Sequence, residues 1–245
     1  MTSPSTVEFE QVHFAHAPRS PILQGISLTC RTGETVAIVG RSGAGKTTLL
    51  RLVNRLIDPS SGVVRVQGRE TTAWNPIALR RTIGYVMQDA GLFPHMTVAE
   101  NVAIVPRLER WTPERIEARV RELLELVGLD AAVHGARRPS ELSGGQRQRV
   151  GLARALAVEP AVLLMDEPFG ALDPITRRDV RREFALLRHR LKTTTLIVTH
   201  DVDEAMMLAD RLAVLDAGRL IALDTPDALR VSSDRRVRAL IEEGE

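Results

Sequence analysis

Lysine is almost missing from this chain: Lys46 and Lys192 stand against 31 arginines. Aromatic residues make up only 3% of the 245 positions, and cysteine occurs once. No apolar run approaches the roughly 20 residues needed to cross a bilayer. Each scarcity excludes something. With Cys30 alone no internal disulfide can form, and the thiol is expected to be a buried packing residue. So few aromatics disfavour a base-stacking platform, and a formal charge of +2 is too mild to argue for a nucleic-acid partner. The arginines are scattered among acids on helical faces, so Arg177-Arg178 and Arg181-Arg182 read as solvated surface. Met1 to Thr6 is polar and lacks the apolar stretch of a secretory signal, which leads to the expectation of a cytosolic protein. Any membrane contact is then expected to run through a partner.

One of the two lysines sits in the stretch that organises the chain, Gly40-Arg41-Ser42-Gly43-Ala44-Gly45-Lys46-Thr47-Thr48. It follows the apolar run Thr35 to Val39 and precedes a helical pattern from Thr48 to Leu56, the strand–turn–helix context of a phosphate-binding loop. Consecutive backbone N–H groups in a glycine-permitted curve form a concave donor nest for anions. The free amides and dipole of the following helix add positive potential. Gly40, Gly43 and Gly45 let the backbone approach a phosphate without a Cβ. Lys46 supplies a compact charge where a planar guanidinium does not fit, and Thr47 offers a hydroxyl to Mg²⁺. The stretch indicates a nucleoside triphosphate.

Along the rest of the chain, Val7 to Leu28 alternates in pieces and reads as antiparallel β with a turn from Ala17-Pro18 to Pro21. Val63 to Val66 and Ile83 to Met87 read as strands. Thr112-Pro113-Glu114 opens a helix that Gly128 stops. Val98 to Arg138 is expected to be a helical insert, within a helical subdomain of about 89–158. A helix follows Ser143 to about Val158, and Asp173-Pro174 begins another. Ala161 to Met165 and Thr194 to Val198 are apolar throughout, as buried parallel strands are. Asp201 to Ala209 is helical, Arg211 to Ala222 a hairpin, and Thr225-Pro226 starts one final helix. The pattern predicts an α/β fold: a mostly parallel sheet flanked by helices, with an N-terminal antiparallel β subdomain and a helical subdomain. Ligands of such sheets bind beyond the carboxyl ends of the strands, so Gly40, Gln88, Asp166 and His200 are expected near one another.

Chemistry can be assigned to those strand ends. Asp166 can hold Mg²⁺, Glu167 can polarise an attacking water, His200 can keep the γ-phosphate in register, and Gln88 can sense it. Ser143-Gly144-Gly145-Gln146 opens a helix and permits two readings: Ser143 as a plain N-cap, or a second anion site at a helix tip. A single nucleotide has no use for two such nests on one subunit, so a head-to-tail homodimer is the natural resolution.

The set GRSGAGKT, Gln88, LSGGQ, VLLMDEP, Ala171-Leu172-Asp173 and His200, in that order, resembles the ATPase subunit of ATP-binding-cassette (ABC) transporters, a P-loop NTPase. The resemblance implies that Gly40 to Thr48 bind the phosphates of ATP and its Mg²⁺. It implies that Gln88 contributes to Mg²⁺ and links to a transmembrane permease, and that Ser143 to Gln146 reach the γ-phosphate on the opposite subunit. By the same resemblance Asp166 supports Mg²⁺, Glu167 is the general base, Asp173 lies at the dimer seam and His200 is the γ-phosphate switch. A family aromatic that stacks on adenine is replaced here by His16, whose imidazole offers less area. The stretch Ile83 to Gln88, Gly91 to Val98, Glu100 to Ala103 and Val105-Pro106, with Trp111, is similar to ATPases of osmoprotectant importers that carry glycine betaine, choline or carnitine. That resemblance implies a peripheral location on the cytoplasmic face of the cell membrane and, indirectly, a substrate-binding protein. Because the chain stops at Glu245, no C-terminal regulatory module is expected and 1–245 reads as a single ATPase domain. The alternatives are an importer of another small solute, such as an amino acid or other amine, or a soluble non-transport cassette ATPase. The latter would normally need a long coiled coil or second cassette. A small-molecule kinase would have no use for Leu142 to Gln146.

Overall fold

The computed structural model describes residues 5–17, 20–188, 191 and 193–242. In chain order the first elements are β1 (Ser5–Ala17), β2 (Ser20–Arg31), β3 (Thr35–Gly40), α1 (Lys46–Val53), β4 (Ser61–Val66), β5 (Arg69–Glu70) and α2 (Pro76–Arg81). Next come β6 (Ile83–Val86), α3 (Val98–Leu108), α4 (Pro113–Leu126), α5 (Ala131–His134), α6 (Gly144–Ala155), β7 (Val162–Asp166) and α7 (Pro174–Arg188). The chain closes with β8 (Thr194–Val198), α8 (Val202–Leu208), β9 (Arg211–Asp216), β10 (Arg219–Asp224), α9 (Pro226–Arg230) and α10 (Arg235–Glu242). Its contacts divide it into two units, residues 1–80 with 192–245, and residues 81–191.

The first unit holds two sheets. β2, β1, β4 and β5 form an antiparallel sheet in that order. β1 and β2 meet at Ala17↔Ser20, as the alternation predicts, although Pro18 and Arg19 of the expected turn lie outside the described residues. The second sheet takes β3 as its centre, parallel to both β8 and β9, with β10 antiparallel to β9. Every residue of β3 and β8 is buried, which is why both read as unbroken apolar or β-branched runs. Glu34, 8% exposed, is held at the turn into β3 by Arg211: Nε and Nη2 donate to its two carboxylate oxygens at 2.6 and 2.9 Å. Ala37, Val39, Leu212 and Val214 of this sheet join Val202, Ala205, Leu229, Val237 and Ile241 of the last three helices in one core.

The second unit pairs β6 parallel with β7 and surrounds them with α3 to α7. Thr97, Thr112 and Ser143 cap α3, α4 and α6 by accepting a backbone N–H three residues on.

Two local expectations are corrected. The single final helix is two, α9 and α10, because Val231 leaves helical geometry and Asp234 starts afresh, accepting from the Arg236 N–H at 2.8 Å. Arg177 is not solvated surface: its Nη2 donates to the carbonyls of Gly170 and Leu172 at 3.3 and 2.9 Å. The helix α2 had a readable signal in Asn75-Pro76, since Asn75 Oδ1 accepts from the N–H groups of Ile77 and Ala78.

Candidate active site

In the first unit, β3 delivers the chain into the loop and α1 takes it away. Gly40 has φ 157°, and a Cβ there would run into the carbonyl oxygen of Leu215 on β9. Gly45 caps α1 at φ 97°, and its missing Cβ would lie 2.6 Å from Leu23 Cδ2 of β2. Glycine is therefore required at both ends of the loop by conformation and by space. Arg41, Ser42 and Gly43 are exposed between them, Ala44 to Lys46 are buried, and Thr47 and Thr48 are half-buried. Lys46 is 8% exposed, and its Nζ donates to the carbonyl oxygens of Gly40 at 2.6 Å and Arg41 at 3.2 Å. The ammonium is thus already folded back across its own loop, its burial offset by main-chain dipoles.

β3 and β8 run parallel with Ile38 opposite Val198, so Gly40 and His200 leave the sheet at the same end and level. The exposed His200 follows Thr199, whose N–H donates to the Ile38 carbonyl and whose Oγ1 accepts from the Asp201 N–H. His16, near the end of β1, is exposed and stands edge-on to Phe14 at 5.1 Å between ring centres.

The second unit repeats the logic of paired strand ends. Val86 lies opposite Met165, so Gln88 and Glu167 each follow two residues beyond the pair. Gly170 folds back between them: a Cβ there would be 3.4 Å from Gln88 Nε2 and 3.7 Å from Glu167 Cβ. Glu167 holds φ 49°, a left-handed backbone in a non-glycine residue. Strain of that kind costs about 1–3 kcal/mol and persists where the surroundings impose it. Here the Gly170 N–H bonds the Glu167 carbonyl at 3.1 Å, and Arg177 anchors the following turn. Asp166 accepts from the hydroxyl of Tyr85, the chain's only tyrosine, at 3.3 Å. The sequence marks Tyr85 only as a residue of β6; its reach to Asp166 follows from the pairing of β6 with β7. Asp173 Oδ1 accepts from the Thr176 N–H at the start of α7, and hydrogen bonds from Thr176 hold its carboxyl below the usual carboxylate range.

Ser143 and Gln146 form a reciprocal capping box: Ser143 Oγ accepts from the Gln146 N–H at 3.2 Å, and Gln146 Oε1 from the Ser143 N–H at 2.9 Å. Ser143 is therefore an N-cap in fact. The cap reading and the anion reading remain compatible, because the box leaves the hydroxyl proton of Ser143 unspent. Gly144 and Gly145 lie in the first turn of α6, where backbone amides have no intrahelical acceptor. Gln146 Nε2 also lies 3.4 Å from His134 Nε2, a neighbour that motif spacing did not reveal.

No group of three His, Cys, Asp or Glu residues able to hold a metal occurs among the described residues. Thr47 of the first unit offers a hydroxyl oxygen, and Gln88 and Asp166 of the second offer an amide and a carboxylate oxygen, hard donors of the kind that Mg²⁺ takes. No helix of the described residues is long and apolar enough to cross a membrane. The second unit also contains a cavity of about 810 Å³, with Ala99, Ala103, Trp111, Ile116, Val120 and Leu124 among its walls.

A family model described as "ABC transporter" matches residues 23–170. The chain is 47% identical, over 91% of its length, to the glycine betaine/carnitine/choline transport ATP-binding protein of Bacillus subtilis (strain 168), covering 58% of that protein. It is 51% identical, over 84% of its length, to an Fe(3+) ions import ATP-binding protein of Rhodococcus jostii (strain RHA1), again covering 58%. The chain thus spans somewhat over half the length of these curated relatives. Among solved structures, it is similar to a dimeric ATP-binding cassette in a post-hydrolysis state bound to ADP and Pi, with TM-score 0.78 and 30% identity over 90% of this chain and 98% of that one.

Proposed function

The chain belongs to the ABC transporter family and has its P-loop NTPase fold, and from that membership we propose that it is the ATP-hydrolysing subunit of an importer for an osmoprotectant such as glycine betaine, choline or carnitine. Two copies close head to tail on two ATP molecules, and each pairs with a transmembrane permease subunit. The observation that carries this reading is the double provision for anions: a glycine loop with its ammonium already in place at Gly40 to Thr48, and a helix tip at Ser143 to Gln146. One subunit holds ATP by the first and completes its partner's site with the second.

The chemistry asks little of covalent bonding and much of position and charge. The loop amides and Lys46 grip the phosphates, and Thr47, Gln88 and Asp166 would hold Mg²⁺, which would supply charge neutralisation at the phosphate oxygens. The Glu167 carboxylate takes a proton from the attacking water, which adds to the γ-phosphorus as the bond to ADP breaks. His200 donates a hydrogen bond to the γ-phosphate, and His16 lies against the adenine. Ser143, Gly144 and Gly145 donate across the dimer. Hydrolysis removes the ligand that joins the copies, and their separation is passed to the permease.

The solute class rests on the stretch from Ile83 to Trp111 and on the solutes for which the Bacillus subtilis relative is named. The Rhodococcus jostii relative favours a second reading, import of ferric iron. The deciding experiment is copurification with the permease and binding protein, followed by ATPase rates in proteoliposomes. Stimulation by glycine betaine, choline or carnitine is expected; stimulation by ferric iron alone overturns the solute class but not the ATPase.

A further inference from the structure

Three residues of α6 spaced three apart, Gln148, Gly151 and Arg154, run along the backbone that carries Gln88. Spacing of three places them on one helical face. The Gln148 amide donates from Nε2 to the Met87 carbonyl at 3.2 Å. At Gly151 the loop lies directly on the helix, where an added Cβ would come within 3.1 Å of Ala90 Cβ. Arg154 donates from Nη1 to the Gly91 carbonyl and from Nη2 to the Ala90 carbonyl, both at 2.7 Å. Ala90 and Gly91 hold φ of 61° and 54°, consecutive left-handed residues whose carbonyls meet the fork. The guanidinium also stands 5.9 Å from the Phe93 ring centre.

From the other side, buried Asn101 of α3 accepts from the Phe93 N–H and donates to the carbonyls of Phe93, Met96 and Thr97. Only Gln88 and Asp89 fall between the anchor at Met87 and the anchor at Ala90. Burial lowers the pKa of Arg154, with Asp89 the charge opposing it. A half-buried cation that spends two short bonds on loop carbonyls fixes a backbone path, which a lysine with its single-point charge would not.

We propose that Arg154, with Gln148, is a positioning residue for Gln88. The pair holds the Gln88 loop to the same helix whose first turn carries Ser143 to Gln146. A pull on the loop then reaches that tip as a movement of α6 as one rod. The proposal rests on Gln88 as the contact to Mg²⁺ and permease.

The test compares Arg154→Met, Arg154→Lys and Gln148→Leu with the parent chain. Amide exchange is read over residues 87–93 in the isolated protein, and kcat and KM for ATP in the permease complex. Arg154→Met is expected to speed exchange across 87–93 and to lower kcat by tenfold to a hundredfold, the range that misplacing a reacting group by about 1 Å costs. KM should change by less than about twofold, because the phosphate loop is untouched. Arg154→Lys should fail to restore either readout. Faster exchange with parental kcat, or full rescue by lysine, overturns the proposal. Should Arg154→Met not fold, Gln148→Leu decides: a several-fold kcat loss at constant KM supports the pair, and parental kcat overturns it. Gln88→Ala with undiminished kcat sinks the role of Gln88, and exchange alone then judges the clamp.

Discussion

Glu167 shows how much a single backbone angle constrains a reading. Its φ of 49° turns the chain sharply at the end of β7. Glu167→Gln keeps size and turn and removes only the proton acceptor. Nucleotide binding should persist by calorimetry, while turnover should fall by at least about 10²-fold, the scale of general-base assistance. Turnover at the parental rate would refute the assignment. The places in the fold of the glycine loop, Gln88, Asp166-Glu167 and Ser143 were legible in sequence because each follows a strand end or opens a helix. Arg177, Tyr85 and Arg154 were not. Their roles depend on where a long side chain ends, and Arg154 reaches a carbonyl 63 residues away along the chain.

Elements were legible where local signals agreed. β3, β7 and β8 announced themselves by apolar runs, and α4 and α6 by Thr112-Pro113 and Ser143. The break between α9 and α10 was missed because Ser232, Ser233 and Asp234 fit a polar helix face as well as a new start. The capping box of α3 gives an element-level prediction. Glu100 accepts from the Thr97 N–H at 2.8 Å, and that bond holds its carboxyl below the usual carboxylate range. With the folded pKa below the unfolded one, the stabilisation is full above the unfolded value and is lost as pH falls through the folded value. Amide protection at Thr97 should therefore drop on acidification. In Glu100→Gln, which caps without titrating, it should stay level. Identical pH profiles for the two proteins would remove the box as the cause.

For the whole molecule, an α/β fold with both antiparallel and parallel sheets followed from alternation at the N-terminus and buried runs later. Chain topology was harder: β3 lies between β8 and β9, strands more than 150 residues downstream, an adjacency that no local pattern encodes. The same scale holds the prediction about assembly. Cysteines placed at Ser42 and Ser143, on a Cys30→Ser background, should crosslink between copies when a non-hydrolysable ATP analogue and Mg²⁺ are present. They should fail to do so with ADP. Absence of any crosslink under the first condition would refute the head-to-tail pairing.

Lysine scarcity has a consequence for covalent chemistry. Apart from Lys192 and the terminal amine, Lys46 is the chain's only primary amine, and it is tucked against two carbonyls inside the nucleotide loop. Within this sequence, acetylation or carbamylation meets only Lys192 and the terminal amine outside the proposed nucleotide loop. An amine-directed label becomes a footprint of ligand occupancy rather than a stain on the surface.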